Sequence, residues 1–117
     1  MKILFVINDA PYGNEKAYNT LRLIMTLQNE NPKTEILIFL LSDAVSCALI
    51  DQSTPQGYYN IERMLKAVIK KGAKVKSCGS CIDARGLGEL KLLEGVEISG
   101  MSDLAAWLLE ADKTITF

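Results

Sequence analysis

The sequence predicts an α/β protein in which a mainly parallel, five-stranded sheet carries helices on both faces. Short apolar runs rich in β-branched residues alternate with longer segments whose apolar residues recur every three or four positions. This alternation is typical of strand–helix–strand units. The 117 residues allow one domain, 1–117, and the 49% hydrophobic content is sufficient for a core without disulfide bonds.

The first half of the chain contains two predicted strands, each followed by a helical segment. Lys2–Asn8 and Thr34–Leu41 are apolar runs bounded by polar turn residues, which predicts buried strands. Between them a helix is expected from Asn14, which is suited to cap it, to the Asn31-Pro32 dipeptide. A further short helix is expected over 42–50, capped by one of its first two residues.

The second half repeats this pattern. A helix over Tyr59–Lys71 has an apolar stripe, and Gly72 suits the position just after its end. A helix over Ser102–Ala111 is expected to direct Leu104, Trp107 and Leu108 inward. The remaining predicted strands are Lys74–Ser77, Val96–Ile98 and Lys113–Phe117.

Composition excludes several classes of function. The formal net charge of −1 lacks the basic excess with which proteins hold nucleic acid. No histidine is present, which excludes Ser-His-Asp and Cys-His catalysis and histidine-ligated metals within one chain. No apolar run is long enough to span a membrane, and the first residues are too short for a signal segment. We therefore expect a cytoplasmic protein with reduced thiols.

The polar chemistry of the sequence gathers in three loops that follow predicted strands. Asn8–Gly13, Ser42–Cys47 and Cys78–Gly86 each leave a strand at its carboxyl end, the edge where parallel sheets bind ligands. Together the loops hold all three cysteines, Asp9, Asp43, Asp83 and Arg85. This edge is the predicted functional edge.

The three cysteines have different surroundings. Cys47 lies in an apolar stretch, which predicts a buried, inert thiol. Cys78 and Cys81 lie among glycine, serine, aspartate and arginine, which predicts a functional role for at least one of them. A dominant thiolate at neutral pH requires a pKa shift of about two units, or roughly 2.7 kcal/mol.

The charges near the thiols bear on that shift. A helix dipole supplies only about 0.3–1 kcal/mol, so Arg85, four residues after Cys81, is expected to supply the rest. Asp83 would oppose ionisation unless it pairs with Arg85, and we expect it to pair away from the sulfur. Asp43 is interpreted as a helix cap rather than a catalytic acid.

The Cys78-Gly-Ser-Cys81 motif allows three interpretations. A thioredoxin-type dithiol needs a proline later in the chain, but Pro11, Pro32 and Pro55 all precede the motif. A zinc site would need a second such motif from another subunit. The third interpretation is a single nucleophilic cysteine that accepts sulfane sulfur, and no metal or other cofactor is expected for it.

An ordered set of motifs resembles the DsrE/DsrF-like sulfur-relay family. The stretches that carry the resemblance are Asn8–Gly13, Phe39–Ala44, Tyr59–Ile61, Cys78–Gly86, Gly95–Glu97 and Ala111–Phe117. The resemblance implies a three-layer α/β/α sandwich, assembly into trimers or hexamers, and a role in intracellular sulfur relay. It also implies sulfur donor and acceptor proteins as partners.

The resemblance further implies a persulfide carrier. In sulfur-carrying relatives a cysteine some residues before an Arg-Gly pair holds the sulfur, which points to Cys81 ahead of Arg85-Gly86, with Cys78 as the alternative. The second thiol leaves open a persulfide resolved by its neighbour or a reversible Cys78–Cys81 disulfide. A non-catalytic, oligomeric protein that binds a small ligand is the competing hypothesis.

Residues outside the motif have open assignments. Asn8, Tyr12 and Gly13 either form walls of the cysteine pocket or only shape a turn. Leu90–Leu93 and Trp107 fit either the core or a partner subunit.

Overall fold

The computed structural model describes all residues 1–117 and contains one five-stranded sheet. Its strands are β1 (Lys2–Ile7), β2 (Glu35–Leu40), β3 (Lys74–Cys78), β4 (Val96–Ser99) and β5 (Lys113–Thr116). Their order across the sheet is β4-β3-β2-β1-β5, and every neighbouring pair is parallel. The predicted α/β class and parallel sheet are confirmed, and the strand order is new information.

Helices connect the strands. They are α1 (Lys16–Glu30), a 3₁₀ helix (Ser42–Ala48), α2 (Ile61–Lys70), α3 (Gly79–Ala84) and α4 (Met101–Glu110). The prediction of Asn14 as the cap of α1 was wrong by one position, because Glu15 occupies the cap. The Asn14 side chain still accepts a hydrogen bond from the Lys16 N–H, at 2.9 Å.

Both faces of the sheet are buried, which explains why the strands are continuously apolar. Successive strand residues point to opposite faces. Ile3, Phe5 and Ile7 of β1 pack on the side of α1 and α2, in the larger of two core clusters. Leu4 and Val6 pack on the side of α3 and α4, in the smaller cluster. The protein is therefore a three-layer α/β/α sandwich.

Helix α4 covers its side of the sheet mainly through one aromatic residue. Trp107 is buried and meets Phe39 edge to face, with ring centroids 6.2 Å apart. The Lys76 ammonium lies 4.6 Å from the centre of the same indole ring. The prediction that Leu108 points inward was wrong, because it is 52% exposed. One residue along a helix is a rotation of about 100°, so Leu108 cannot share the direction of Trp107.

The segment before β4 settles another open assignment. Leu93 is buried in the larger core cluster, and its N–H donates to the carbonyl oxygen of Ala48 at 2.8 Å. Leu90 is 52% exposed. This segment therefore packs on the core through Leu93 and not through Leu90.

The loops that follow β1, β2 and β3 share one edge, because these three strands are neighbours and parallel. The backbone at the end of β2 turns sharply at Ser42, whose φ of 54° lies in the left-handed region. A non-glycine residue in that region stores conformational strain.

No helix in the structure has the length and apolarity needed to cross a bilayer.

Candidate functional site

The two cysteines of the motif lie side by side at the junction of β3 and α3. Cys78 ends the strand and caps the helix, and its Sγ accepts a hydrogen bond from the Cys81 N–H at 3.4 Å. Gly79 permits this close junction, because a Cβ there would lie 3.2 Å from the Ile98 side chain. The strand-to-helix turn thus brings together the two thiols that the sequence singled out.

Cys78 is the better stabilised of the two as a thiolate. It is only 3% exposed, and its Sγ lies 3.3 Å from the Ser80 hydroxyl. Burial acts to raise the pKa of the Cys78 thiol, but hydrogen bonds from the Cys81 thiol, the Ser80 hydroxyl and nearby backbone amides outweigh it. The pKa of Cys78 therefore lies below the ordinary value for a thiol.

Cys81 is the more accessible thiol. Its side chain is partly exposed, and its Sγ accepts a hydrogen bond from the Ser42 N–H at 3.3 Å. Its hydrogen bond to Cys78 and its partial burial raise the pKa of Cys81 above the ordinary value, against the opposing effects of Ser42 and Arg85. The pair therefore consists of an inner sulfur, Cys78, whose pKa is lowered, and an outer sulfur, Cys81, whose pKa is raised.

Arg85 ties together the loops that follow β2 and β3. Its Nε lies 2.8 Å from Oδ1 of Asp43, and its Nη1 donates to the Cys81 carbonyl oxygen at 3.1 Å. The interpretation of Asp43 as a helix cap was wrong, since Leu41 occupies the cap position of the 3₁₀ helix without a side-chain cap bond. Asp43 instead holds Ser42 beside the Cys81 sulfur by pairing with Arg85.

Asp83 does not pair with Arg85 in the structure. Its Oδ1 would lie 3.2 Å from a Cβ placed on Gly88, so the carboxylate is directed at that turn. Gly86 follows Arg85 with φ of 69°, a conformation that suits glycine at the end of α3. The expected pairing of Asp83 is not seen, because its carboxylate makes no salt bridge to any of the basic side chains that form one.

The loop after β1 makes its contacts elsewhere. The Asn8 side-chain amide donates to the carbonyl oxygen of Phe117 at 3.3 Å. The Tyr12 hydroxyl donates to Oε1 of Gln52 at 2.7 Å and accepts from the Ile61 N–H at 3.0 Å. Gly13 adopts φ of 108°. These hydrogen bonds reach the C-terminus and the start of α2 and not the cysteine pair, which favours the turn-shaping interpretation.

Cys47 lies on the other side of the sheet from the pair. It is 2% exposed within the core formed with α1 and α2, and its Sγ is 3.8 Å from the Asp9 carbonyl oxygen. Burial raises the pKa of the Cys47 thiol to about 12. The prediction of a buried thiol is confirmed. No group of three or more cysteine, aspartate and glutamate side chains is arranged to hold a metal ion.

Sequence reasoning missed two groups at the site. Ser42 supplies an N–H to Cys81, and Ser80 places its hydroxyl beside Cys78. Only the position of Ser80 between the cysteines could have indicated its role, because the Ser42 contact spans 39 residues.

A cleft of about 290 Å³ lies at the opposite sheet edge, lined by Lys2, Lys33 and neighbouring residues, and it contains no thiol.

These features define the class of protein. A three-layer α/β/α sandwich with a cysteine motif at the carboxyl end of β3 fits the DsrE/DsrF-like family, whose model matches residues 1–117. The chain belongs to the DsrE/DsrF-like family, which is associated with sulfur relay.

Among individual proteins, the chain is similar to protein YchN of Escherichia coli K12, with 43% identity over 99% of this chain and 98% of YchN. An uncharacterized Methanocaldococcus jannaschii protein, MJ0989, is 43% identical over the full length of both chains. The crystal structure of E. coli YchN matches with a TM-score of 0.94 over 100% of this chain and 99% of that one. MTH1491 of Methanobacterium thermoautotrophicum, at 20% identity, shares the fold with a TM-score of 0.73, over 99% of this chain and 98% of that one.

Proposed function

We propose that the protein is a sulfur-relay carrier that accepts sulfane sulfur on Cys81 as a persulfide and passes it to a partner protein. The observation that carries the proposal is that the two thiols of the pair differ in exposure and in the stabilisation of their anions. The outer thiol, Cys81, is partly exposed, and the inner one, Cys78, is the better stabilised anion. Membership of a family associated with sulfur relay supports it.

The loading step follows from these positions. The Cys81 sulfur attacks the outer sulfur of a donor persulfide, and the Cys81 proton passes to the departing donor sulfur. A new S–S bond forms on Cys81, the donor's S–S bond breaks, and the donor leaves as a thiol. No oxidant or metal enters this balance. The Ser42 N–H and the nearby Arg85 guanidinium supply positive charge density at the sulfur that changes.

Labelling of single and double variants tests the carrier function. Reduced protein is incubated with inorganic polysulfide, desalted and weighed intact by mass spectrometry. Cys78→Ser, which keeps Cys81, is expected to gain one sulfur atom. The double variant Cys78→Ser with Cys81→Ser is expected to gain none. A Cys78→Ser chain that takes up no sulfur, or a double variant that takes up as much, would contradict the carrier function.

We also propose that the relay operates in the cytoplasm as a homo-oligomer, as expected for the family. Thiols stay reduced in that compartment, as the loading step requires. The outer face of α4 presents Met101, Leu108 and Leu109, which are 62%, 52% and 88% exposed. Exposed apolar groups concentrated on one helix are typical of a protein interface.

Sedimentation velocity tests the assembly. Leu109→Asp is expected to reduce the sedimentation coefficient to that of a single chain. Leu23→Asp is the matched control, because Leu23 is a 38% exposed leucine on α1 and is expected to leave the assembly unchanged. A wild-type chain that sediments as a monomer would refute the oligomer.

A further inference from the structure

The position of Cys78 suits it to a second step on the sulfur that Cys81 has loaded. Residues three apart on one helical turn are neighbours. The Cys78 Sγ already accepts the Cys81 N–H at 3.4 Å. A Cys78–Cys81 disulfide would therefore close across a single turn.

Accessibility separates the roles of the two sulfurs. Cys81 is partly exposed and can meet an external donor, whereas Cys78 is 3% exposed. A donor therefore reaches the outer sulfur first, and the nucleophile nearest to the loaded sulfur is the inner one. Cys47 cannot compete, because it is buried in the core cluster on the opposite side of the sheet.

We infer that Cys78 resolves the Cys81 persulfide and releases its outer sulfur as hydrosulfide, an inference that rests on the proposed carrier function. The Cys78 thiolate attacks Sγ of Cys81, and a Cys78–Cys81 disulfide forms as the bond to the outer sulfur breaks. Hydrosulfide takes the electron pair of that bond. The sulfane sulfur is reduced and the two cysteines are oxidised, so the step needs no other oxidant.

The carried sulfur can therefore leave Cys81 by two routes. A bound acceptor protein takes the outer sulfur directly, and without an acceptor the chain discharges it as hydrosulfide. After discharge a dithiol reductant must return the pair to two thiols before another sulfur is loaded. The protein then acts as a sulfane-sulfur reductase whenever no acceptor is present.

The test follows wild type and three variants after anaerobic incubation with inorganic polysulfide and rapid desalting. Intact mass reports a retained sulfur or the loss of two hydrogens in a disulfide, and hydrosulfide is assayed colorimetrically. Cys78→Ser is a conservative variant, because serine is a favoured helix cap. Cys81→Ser removes the carrier, and Cys47→Ser is the matched control for a cysteine outside the pair.

Wild type and Cys47→Ser are expected to form the disulfide and retain no sulfur, whereas Cys78→Ser is expected to retain one sulfur. Cys81→Ser is expected to do neither. Wild type that holds its sulfur as long as Cys78→Ser overturns the inference while the carrier function stands. A disulfide that forms equally without polysulfide also overturns it. Sulfur retained by Cys81→Ser alone would make Cys78 the loaded residue and reverse the assigned roles, and sulfur retained by no variant would remove the carrier function itself.

Discussion

The ionisation of Cys47 leads to a quantitative prediction about thiol reactivity. Burial raises the pKa of this thiol from 9.0 to about 12. Three pKa units lower the thiolate population about a thousandfold at neutral pH, equivalent to about 4 kcal/mol. Because the thiolate is the nucleophile, Cys47 of the native chain is expected to react with iodoacetamide about a thousand times more slowly than an unfolded cysteine.

Timed alkylation followed by peptide mass spectrometry measures that ratio for each cysteine. Cys81 of the same chain is the internal control, since it is partly exposed. In denaturant all three cysteines are expected to react at similar rates. Modification of native Cys47 within about tenfold of the Cys81 rate, without loss of secondary structure, would refute the reasoning from burial.

Three further predictions concern the alkaline range, the thiol pair and a tight turn. Burial disfavours the Cys47 thiolate in the folded state, so the contribution of the neutral thiol to the free energy of unfolding is complete below pH 9. Between pH 9 and pH 12 the free energy of unfolding falls by about 1.4 kcal/mol per pH unit. Denaturant unfolding should show this alkaline slope in wild type, and Cys47→Ala should lack it. Cys81→Ala removes a hydrogen bond to the Cys78 sulfur, so the alkylation–pH profile of Cys78 should move to higher pH, and an unmoved profile would contradict the pairing. Gly95→Ala forces a Cβ to 2.9 Å from Ile69 at φ of 97° and should lower the unfolding free energy by about 1–3 kcal/mol. Gly72→Ala, at a similar φ of 107° but in open space, should lower it by less than Gly95→Ala, and equal losses would refute the steric argument.

Much of the fold was predictable because its signals are local. Apolar runs such as Thr34–Leu41 differ plainly from the helical spacing of Tyr59–Lys71, and both elements appear within a few residues of their predicted bounds. Gly72 adopts φ of 107°, as expected for the residue after a helix. The strand order depends on which strands pair across the whole chain, and no local pattern records it.

The predictions that were wrong concern packing and contacts that local sequence patterns do not record. Leu108 was misplaced because α4 is apolar on more than one face, so its spacing alone does not show which face meets the sheet. The pairing of Arg85 with Asp43 joins residues 42 positions apart. The only partner for Arg85 considered from the sequence was Asp83, two positions before it. Residues at that spacing do not face each other on a helix. The sequence singled out Cys78, Cys81, Asp43 and Arg85, but it could not show the contacts that join them.

The separation of Cys47 from the pair, on opposite sides of the sheet, has a consequence for the oxidised chain. Three thiols permit three different cross-links in an unfolded polypeptide, but the packed core leaves only Cys78 and Cys81 free to join. Oxidative stress on the native protein should therefore yield a single, reversible product. Scrambled cross-links would appear only in molecules that had first unfolded, so their abundance would record past denaturation.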